Sequence, residues 1–300
     1  MSVREYHILD ELYVRDPSLG GRIVAIYGPP GTGKTTLAVK LAKEWLKGDY
    51  VLWRGLRISQ ALLYFPHVVL WIPEGAGLEL YNMDEKREMI LEELDPPAEL
   101  RRFVALEDLI QGLVYGYVNV VYMPKWWWLE LLARLPDLWP GHEFLSVFVD
   151  EMDDLTPPWP KGKLWTAIEA VVQGMEDYRK ALINFVMIAQ QPRRLYYGIR
   201  DMTMYRIYMP GASKEKDDRF RQGLLDNLSL GTGIIARGQW EPIEFSEVKV
   251  VRPRMRVRLT GIMEAEAPGL GMAPSLPVSI SLGGTIDAEE VLRRYGDAGP

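Results

Sequence analysis

The sequence predicts an α/β fold in which a mostly parallel central sheet is flanked by helices. From about residue 22 to 240, apolar runs of strand length alternate with segments of helical periodicity. Most of the apolar runs are unbroken, as expected for strands that are buried on both faces. The predicted strands are 22–27, 119–122, 144–149, 185–189 and 206–208. The predicted helices are 35–47, 84–94, 127–135, 163–181 and 217–228.

The composition of the chain changes after about residue 240. A strand-like segment at 247–259 leads into a stretch rich in glycine and proline at 261–284, and Asp287 is placed to begin a short helix. We therefore predict one domain over residues 1–240 and a C-terminal extension over residues 241–300.

The residue content excludes several classes of chemistry. The 300 residues include no cysteine, which excludes disulfides, thiolate metal sites and a cysteine nucleophile. The three histidines, His7, His67 and His142, are far apart in sequence, which argues against a histidine metal site. No apolar run is long enough to span a bilayer, and no leader follows Met1. We expect a cytoplasmic protein, or one associated with a virus in an infected cell.

Charge is distributed unevenly along the chain, whose net charge is −6. Residues 74–99 contain nine acidic residues against Lys86 and Arg87, a net charge of −7. Residues 190–221 are basic, with eight arginines and lysines against four acids, and residues 249–258 carry five against none. A nucleic-acid partner therefore remains open despite the negative total.

The strongest motif is the run IVAIYGPPGTGKTTLAVKLAKEWL. It is the G-x-x-x-x-G-K-[ST] phosphate-binding loop between a strand and a helix, where backbone N–H groups and the helix N-terminus favour phosphate. Lys34 is expected to bind the β and γ phosphates of ATP, and Thr35 to ligate Mg²⁺. The candidate nucleotide-binding residues are Gly28, Pro29, Pro30, Gly31, Thr32, Gly33, Lys34, Thr35 and Thr36.

An acid pair ends the apolar strand in the run FLSVFVDEMDD. The carboxyl edge of a parallel sheet is where α/β folds bind ligands. We expect Asp150 to support Mg²⁺ and Glu151 to orient and deprotonate the attacking water. A residue that can deprotonate water indicates an enzyme that hydrolyses nucleotides, since transfer of phosphate to another acceptor would not need it.

Gln190 follows the next predicted strand, which ends at residue 189. An uncharged polar side chain at this position is placed to contact the γ-phosphate or the attacking water. We therefore predict that Gln190 is a sensor of the bound nucleotide.

Several consecutive segments after that strand resemble the closing elements of the FtsK/HerA superfamily of P-loop ATPases. They are Gln190-x-Pro192, IRD, RIYM, SKEKDDRFRQGLLD and LGTGIIARG. The resemblance covers about residues 20–240 and is greatest, in architecture, to viral genome-packaging and Zot-like ATPases. It implies a RecA-like (ASCE) sheet, a homo-oligomeric ring that is often a hexamer, and double-stranded DNA as substrate. It also implies catalytic roles for Arg206 and Arg219. In a ring, we expect one arginine of the cluster after the sensor strand to act on the neighbouring subunit; the candidates are Arg193, Arg194, Arg206, Arg219 and Arg221.

Two other functions stay open at this point. The loop GPPGTGKTT also occurs in AAA+ ATPases that remodel proteins or load replication factors, and a slow, monomeric nucleotide switch would need the same loop.

The C-terminal extension could bind a capsid or other protein partner. The arginines at 252, 254, 256 and 258 recur with period two, which places them on one face of a strand. That face is interpreted either as a solvated edge or as a phosphate-binding stripe.

Overall fold

The fold was described from a computed structural model, which defines residues 8–58, 60–139 and 141–261. Thirteen strands are present in this part of the chain. They are β1 Ile23–Tyr27, β2 Asp49–Arg54, β3 Val68–Pro73, β4 Gly77–Asn82, β5 Arg87–Met89, β6 Glu99–Phe103, β7 Val118–Val121, β8 Phe144–Val149, β9 Ile183–Ala189, β10 Tyr205–Tyr208, β11 Thr232–Arg237, β12 Gln239–Glu244 and β13 Met255–Thr260.

The central sheet has ten strands in the order β12-β11-β10-β1-β9-β8-β2-β7-β3-β6. All neighbours from β10 to β6 pair in parallel, and β11 and β12 add an antiparallel edge. The central strands are buried along their whole length, which explains their unbroken apolar sequences. The predicted α/β fold with a mostly parallel sheet is confirmed.

The helices that flank this sheet vary widely in length. They are α1 Ile8–Glu11, α2 Lys34–Trp45, α3 Gln60–Tyr64, α4 Leu106–Gln111, α5 Lys125–Leu138, α6 Met152–Leu155, α7 Lys163–Tyr178, α8 Tyr197–Asp201 and α9 Gln222–Asp226. None of the helices in the described ranges is both long and apolar enough to cross a membrane.

Helices cover both faces of the sheet. Val186 and Ile188 of β9 belong to the core cluster that contains the apolar face of α2. Phe185, which precedes Val186 in β9, instead contacts Tyr178 of α7, with ring centroids 5.5 Å apart. Because successive side chains of a strand point to opposite faces, α2 and α7 lie on opposite sides of the sheet.

The predicted helix at 84–94 is wrong. The segment forms the turn and second strand of a hairpin, β4 to β5, followed by a short 3-10 helix at Leu91–Glu93. The Asn82 side chain accepts hydrogen bonds from the backbone N–H groups of Asp84 and Glu85, and such local bonds compete with helix formation. The helix predicted at 217–228 is also too long: in the structure only α9, Gln222–Asp226, is helical there.

The C-terminal strand predicted at 247–259 is shorter in the structure: residues 247–254 are not a strand, and β13 covers Met255–Thr260. It pairs with β4 in a separate three-stranded antiparallel sheet, β13-β4-β5. The Gly/Pro-rich stretch beyond residue 261 and the helix at Asp287 lie outside the described residues. The domain boundary near residue 240 stays a prediction.

The four arginines of the C-terminal segment do not form one exposed stripe. Arg252 is buried and donates to backbone carbonyls, including that of Phe65 at 3.0 Å. Arg254 pairs with Asp84 at 3.0 Å and Arg258 lies 3.6 Å from Glu79, so the acidic segment 74–99 neutralises part of this face. The contacts favour the solvated-edge interpretation over the phosphate-binding one.

Candidate active site

Three neighbouring parallel strands bring the predicted site residues to one edge of the sheet. The phosphate-binding loop follows β1, the acid pair follows β8, and Gln190 follows β9. In the sheet β9 lies between β1 and β8, so Gln190 stands between the loop and the acids. The backbone N–H of Gly28 donates to the carbonyl of Gln190 at 3.1 Å, which ties the loop to the sensor position.

The glycines of the phosphate-binding loop are required by its shape. Gly33, which precedes the first turn of α2, has φ +93°, and Gly31 has φ +81°. These are left-handed conformations that favour glycine. A Cβ on Gly28 would lie 2.7 Å from both Met209 Cβ and Thr32 Oγ1. The loop therefore closes tightly and presents backbone donors at the N-terminus of α2.

Lys34 and Thr35 begin α2 directly after this loop. The Nζ atom of Lys34 donates to the carbonyls of Gly28 and Pro29 at 2.7 and 2.9 Å, so the ammonium group spans the loop. Partial burial lowers the pKa of Lys34, and the negative charge of Asp150 opposes this effect. The Oγ1 atom of Thr35 donates to Oδ2 of Asp150 at 3.3 Å.

The hydroxyl of Thr35 and the carboxylate of Asp150 fit a magnesium ion. Both are oxygen donors, and Mg²⁺ in nucleotide sites is held by few protein ligands together with water and phosphate. Among residues 8–58, 60–139 and 141–261, no group of three acidic or histidine side chains could hold a metal ion without such help. The two oxygen donors fit an ion that is also bound by the phosphates of a nucleotide.

Glu151 occupies a strained backbone position at the end of β8. Its φ and ψ of 52° and 45° lie in the left-handed region, which is unusual for a residue other than glycine. Its side chain is exposed, whereas Asp150 is half-buried. The partial loss of water around Glu151 raises its pKa, and repulsion from Asp150 raises it further. The turn thus directs Asp150 towards Thr35 and leaves Glu151 accessible.

Arg54 fixes this turn, although the sequence did not suggest a role for it. It ends β2, the strand beside β8, and its side chain is buried. The Nη1 atom of Arg54 donates to the carbonyls of Asp150 and Glu151 at 2.9 and 3.1 Å, and its Nη2 atom pairs with the carboxylate of Asp154 at 3.0 Å. One guanidinium group therefore holds the backbone of both acids in place.

The Gln190 side chain contacts a cation from the segment that follows it. Its Oε1 accepts a hydrogen bond from Nη1 of Arg194 at 2.5 Å, and the same guanidinium lies 3.9 Å from Asp153. The sensor role of Gln190 stays a prediction, since these contacts fix only its position at the site.

The two arginines implied by the resemblance are in different environments. Arg206 of β10 makes two hydrogen bonds to the buried Asp218, at 2.7 and 3.1 Å. These hydrogen bonds hold the Arg206 guanidinium within its own chain, and its catalytic role stays a prediction. Arg219 is exposed and forms no ion pair among the described residues, while Asp218 and Phe220 on either side are buried. The two buried neighbours hold the backbone of Arg219, while its side chain is exposed to solvent.

Comparison with known proteins gives one family match, to the ATPase family associated with various cellular activities (AAA), over residues 24–77. This stretch runs from β1 and the phosphate-binding loop to the start of β4. A comparison with curated protein sequences finds no match.

Solved structures extend the likeness over most of the chain. The bacterial conjugative coupling protein TrwBdeltaN70 aligns with a TM-score of 0.51 and 10% identity, over 78% of this chain and 87% of that one. The chain has a RecA-like P-loop ATPase fold, which it shares with this coupling protein. The resemblance seen in the sequence is therefore confirmed at the level of the fold.

Two further solved structures were found at lower TM-scores. The genome packaging NTPase B204 from Sulfolobus turreted icosahedral virus 2, in complex with ATP-gammaS, aligns with a TM-score of 0.48 and 11% identity, over 77% of this chain and 99% of that one. The N-terminal domain of zonular occludens toxin from Neisseria meningitidis aligns with a TM-score of 0.39 and 16% identity, over 77% and 96%.

Proposed function

We propose that the protein is an ATP-hydrolysing DNA translocase that works as a ring, of the genome-packaging type. The observation that carries the proposal is the meeting of Lys34, Thr35, Asp150, Glu151 and Gln190 at the ends of three adjacent strands. This arrangement supplies a phosphate cradle, a metal position, a base and a sensor side by side.

Each residue has a separate task in the proposed reaction. The loop and Lys34 bind the phosphates of ATP. Thr35 and Asp150 would hold Mg²⁺, which would supply positive charge beside the phosphates. Glu151 orients water and takes its proton. Gln190 contacts the γ-phosphate region, and Arg219 of one subunit reaches the site of the next.

The structure after β9 supports a translocase over the AAA+ alternative. An AAA+ remodeller usually carries a helical lid after its sensor strand. In the described residues beyond β9, the α-helices are α8 and α9, each of five residues, and the chain then returns to the sheet as β11 and β12. The fold as a whole is similar to that of a coupling protein of bacterial conjugation, TrwBdeltaN70, which supports a DNA motor over a remodeller.

The AAA+ remodeller remains the second candidate because the family match covers residues 24–77. That segment contains the phosphate-binding loop, which both classes share. A remodeller would respond to an unfolded protein and not to DNA, so the two functions differ in which polymer stimulates ATP hydrolysis.

ATP turnover with and without duplex DNA tests the proposal. We expect duplex DNA to stimulate hydrolysis severalfold, removal of Mg²⁺ with EDTA to abolish it, and an unfolded protein such as casein to have no effect. The Lys34→Ala variant, which lacks the phosphate-binding ammonium, should be inactive with every additive. Stimulation by casein and not by DNA would favour the AAA+ remodeller.

A further inference from the structure

A cavity of about 310 Å³ lies at the amino edge of the central sheet, opposite the edge that carries the candidate active site. It is formed where β1 and β10 begin and β11 ends, together with α1, the segment that follows α1, and the end of α7. Because β1 has five residues, roughly 16 Å of strand separates the cavity from the phosphate-binding loop. A ligand in this cavity would therefore be separate from a bound nucleotide.

Arg22 is a buried cation in the wall of this cavity. Only 4% of its surface is accessible, and it forms no ion pair among the described residues. Its side-chain hydrogen bond in that part of the chain, from Nη1 to the carbonyl of Gly20, is long at 3.4 Å. Asp16, the nearest acid in the sequence, instead accepts hydrogen bonds from Ser18. A guanidinium shielded from water without an anionic partner is costly, so the wall of the cavity offers a charge to a bound anion.

Arg179 brings a second guanidinium to the same cavity. The backbone N–H of Gly21 donates to the carbonyl of Arg179 at 2.9 Å, and a Cβ on Gly20 would lie 2.5 Å from Arg179 Cγ. The Nε atom of Arg179 donates to the carbonyl of Leu19 at 3.0 Å, and no acid of the described ranges lies within ion-pair distance of the guanidinium. That bond uses Nε alone, so the Nη groups remain available to an oxyanion.

The remaining charges of the lining nearly cancel. Arg237 pairs with Glu11 and donates to the hydroxyl of Tyr205 at 2.8 Å. Asp10 is exposed to solvent. The lining therefore carries three arginines against two acids, a net charge of +1. A ligand with a single negative charge matches this balance, whereas a phosphate dianion would exceed it.

The uncharged part of the lining is mostly apolar. Val14 and Leu19 contribute side chains that are 43% and 47% exposed, and Met204 precedes the buried Tyr205 at the start of β10. A volume of about 310 Å³ is larger than an inorganic ion fills and is in the range of cavities that bind small organic molecules. The cavity therefore suits a ligand with a charged end and an apolar body.

We propose that this cavity binds a small organic carboxylate. The carboxylate accepts hydrogen bonds from Arg22 and Arg179, because the planar guanidinium group matches the two oxygens of a carboxylate. The apolar body of the ligand lies against Val14 and Leu19. The inference goes beyond the proposed translocase function and does not depend on it, since none of the residues assigned to ATP hydrolysis lines the cavity.

Isothermal titration calorimetry of the full chain with benzoate tests the site, with acetate and butyrate as smaller carboxylates. We expect one benzoate per chain, and no saturable binding of benzyl alcohol, which has the same ring without the charge. Benzyl alcohol that binds as tightly as benzoate would show that the charge is irrelevant and overturn the proposal. Tighter binding of phenyl phosphate, or no binding of any of the three carboxylates, would also overturn it.

Substitution of the two arginines locates the bound carboxylate. Arg179→Gln should weaken benzoate binding about tenfold or more, because it removes a charged hydrogen-bond donor, and Arg179→Lys should recover part of the loss. The matched control, Lys180→Gln, removes the same charge one residue further on, outside the lining, and should leave the affinity unchanged. An equal loss in both would overturn the site. Arg22→Gln should abolish binding; its folding is checked by circular dichroism, and Arg179→Gln decides the test if that variant unfolds.

A nucleotide competition separates this cavity from the phosphate-binding loop, which also attracts anions. Benzoate should bind equally well to Lys34→Ala and to the protein saturated with a non-hydrolysable ATP analogue. Loss of benzoate binding in either case would place the carboxylate at the loop and overturn the proposal. If the protein binds benzoate in the cavity but does not bind ATP, the cavity stands and the proposed ATPase function fails.

Discussion

The Arg219→Ala variant should lose about 10³ to 10⁵-fold in ATP turnover and keep its affinity for ATP. An arginine that stabilises the transition state of phosphoryl transfer has this effect on rate. Arg219 is placed for action on a neighbour because its side chain is exposed and unpaired in the described part of the chain. Asp218 and Phe220, both buried, hold its backbone. Steady-state turnover and binding of a fluorescent ATP analogue measure the two quantities.

Mixing experiments decide whether this arginine acts between subunits. A Lys34→Ala subunit cannot use its own site but still offers Arg219, so mixed rings with Arg219→Ala subunits should recover part of the activity. The comparison is Arg221→Ala, which removes another exposed arginine of the same loop and should have the smaller effect; a larger loss in Arg221→Ala would assign the role to Arg221 instead. Full activity in Arg219→Ala, or a loss that no mixture restores, would contradict action in trans.

The Glu151→Gln variant should bind ATP normally and hydrolyse it about 10² to 10⁴-fold more slowly. A positioned base contributes this much to a reaction, and the amide keeps the size of the side chain but cannot take a proton. Glu151 is positioned for this role by its left-handed backbone and by the hydrogen bond that Arg54 donates to its carbonyl. Single-turnover hydrolysis after ATP binding isolates the chemical step.

A neighbouring acid provides the control for that variant. Asp154 lies three residues after Glu151, in α6, and its carboxylate pairs with Arg54 at 3.0 Å. In Asp154→Asn the amide oxygen can still accept from Arg54, whose hydrogen bonds to the carbonyls of Asp150 and Glu151 remain, so the variant should retain most of the turnover. If Glu151→Gln hydrolyses ATP at close to the original rate, Glu151 is not the base; if Asp154→Asn is the more damaged variant, the base has been misassigned.

The parallel sheet and the position of the candidate site could be predicted from the sequence. Strands buried on both faces are unbroken apolar runs, and the polar residues that interrupt them, Asp150 and Gln190, mark the edge at which ligands bind. The phosphate-binding loop was recognisable because its glycines serve a backbone shape, as the positive φ of Gly31 and Gly33 confirms.

Contacts between distant segments could not be predicted in this way. Arg54 holds the backbone of residues almost a hundred positions away in the sequence. In the sequence it is only an arginine that follows the run YVLW. Its role could be inferred only from the pairing of β2 with β8. The arginine stripe was misleading for a similar reason. Period two placed its members on one face, but the acids that face them belong to β4 and its turn.

Movement of the protein along duplex DNA is the most direct test of the central claim. A triplex-forming strand is annealed near one end of a linear duplex, and its displacement is followed after ATP is added. We expect displacement that requires ATP hydrolysis, is absent in Lys34→Ala and Glu151→Gln, and is delayed as the distance to the triplex grows. ATP hydrolysis stimulated by DNA with no displacement at any distance would contradict a translocase.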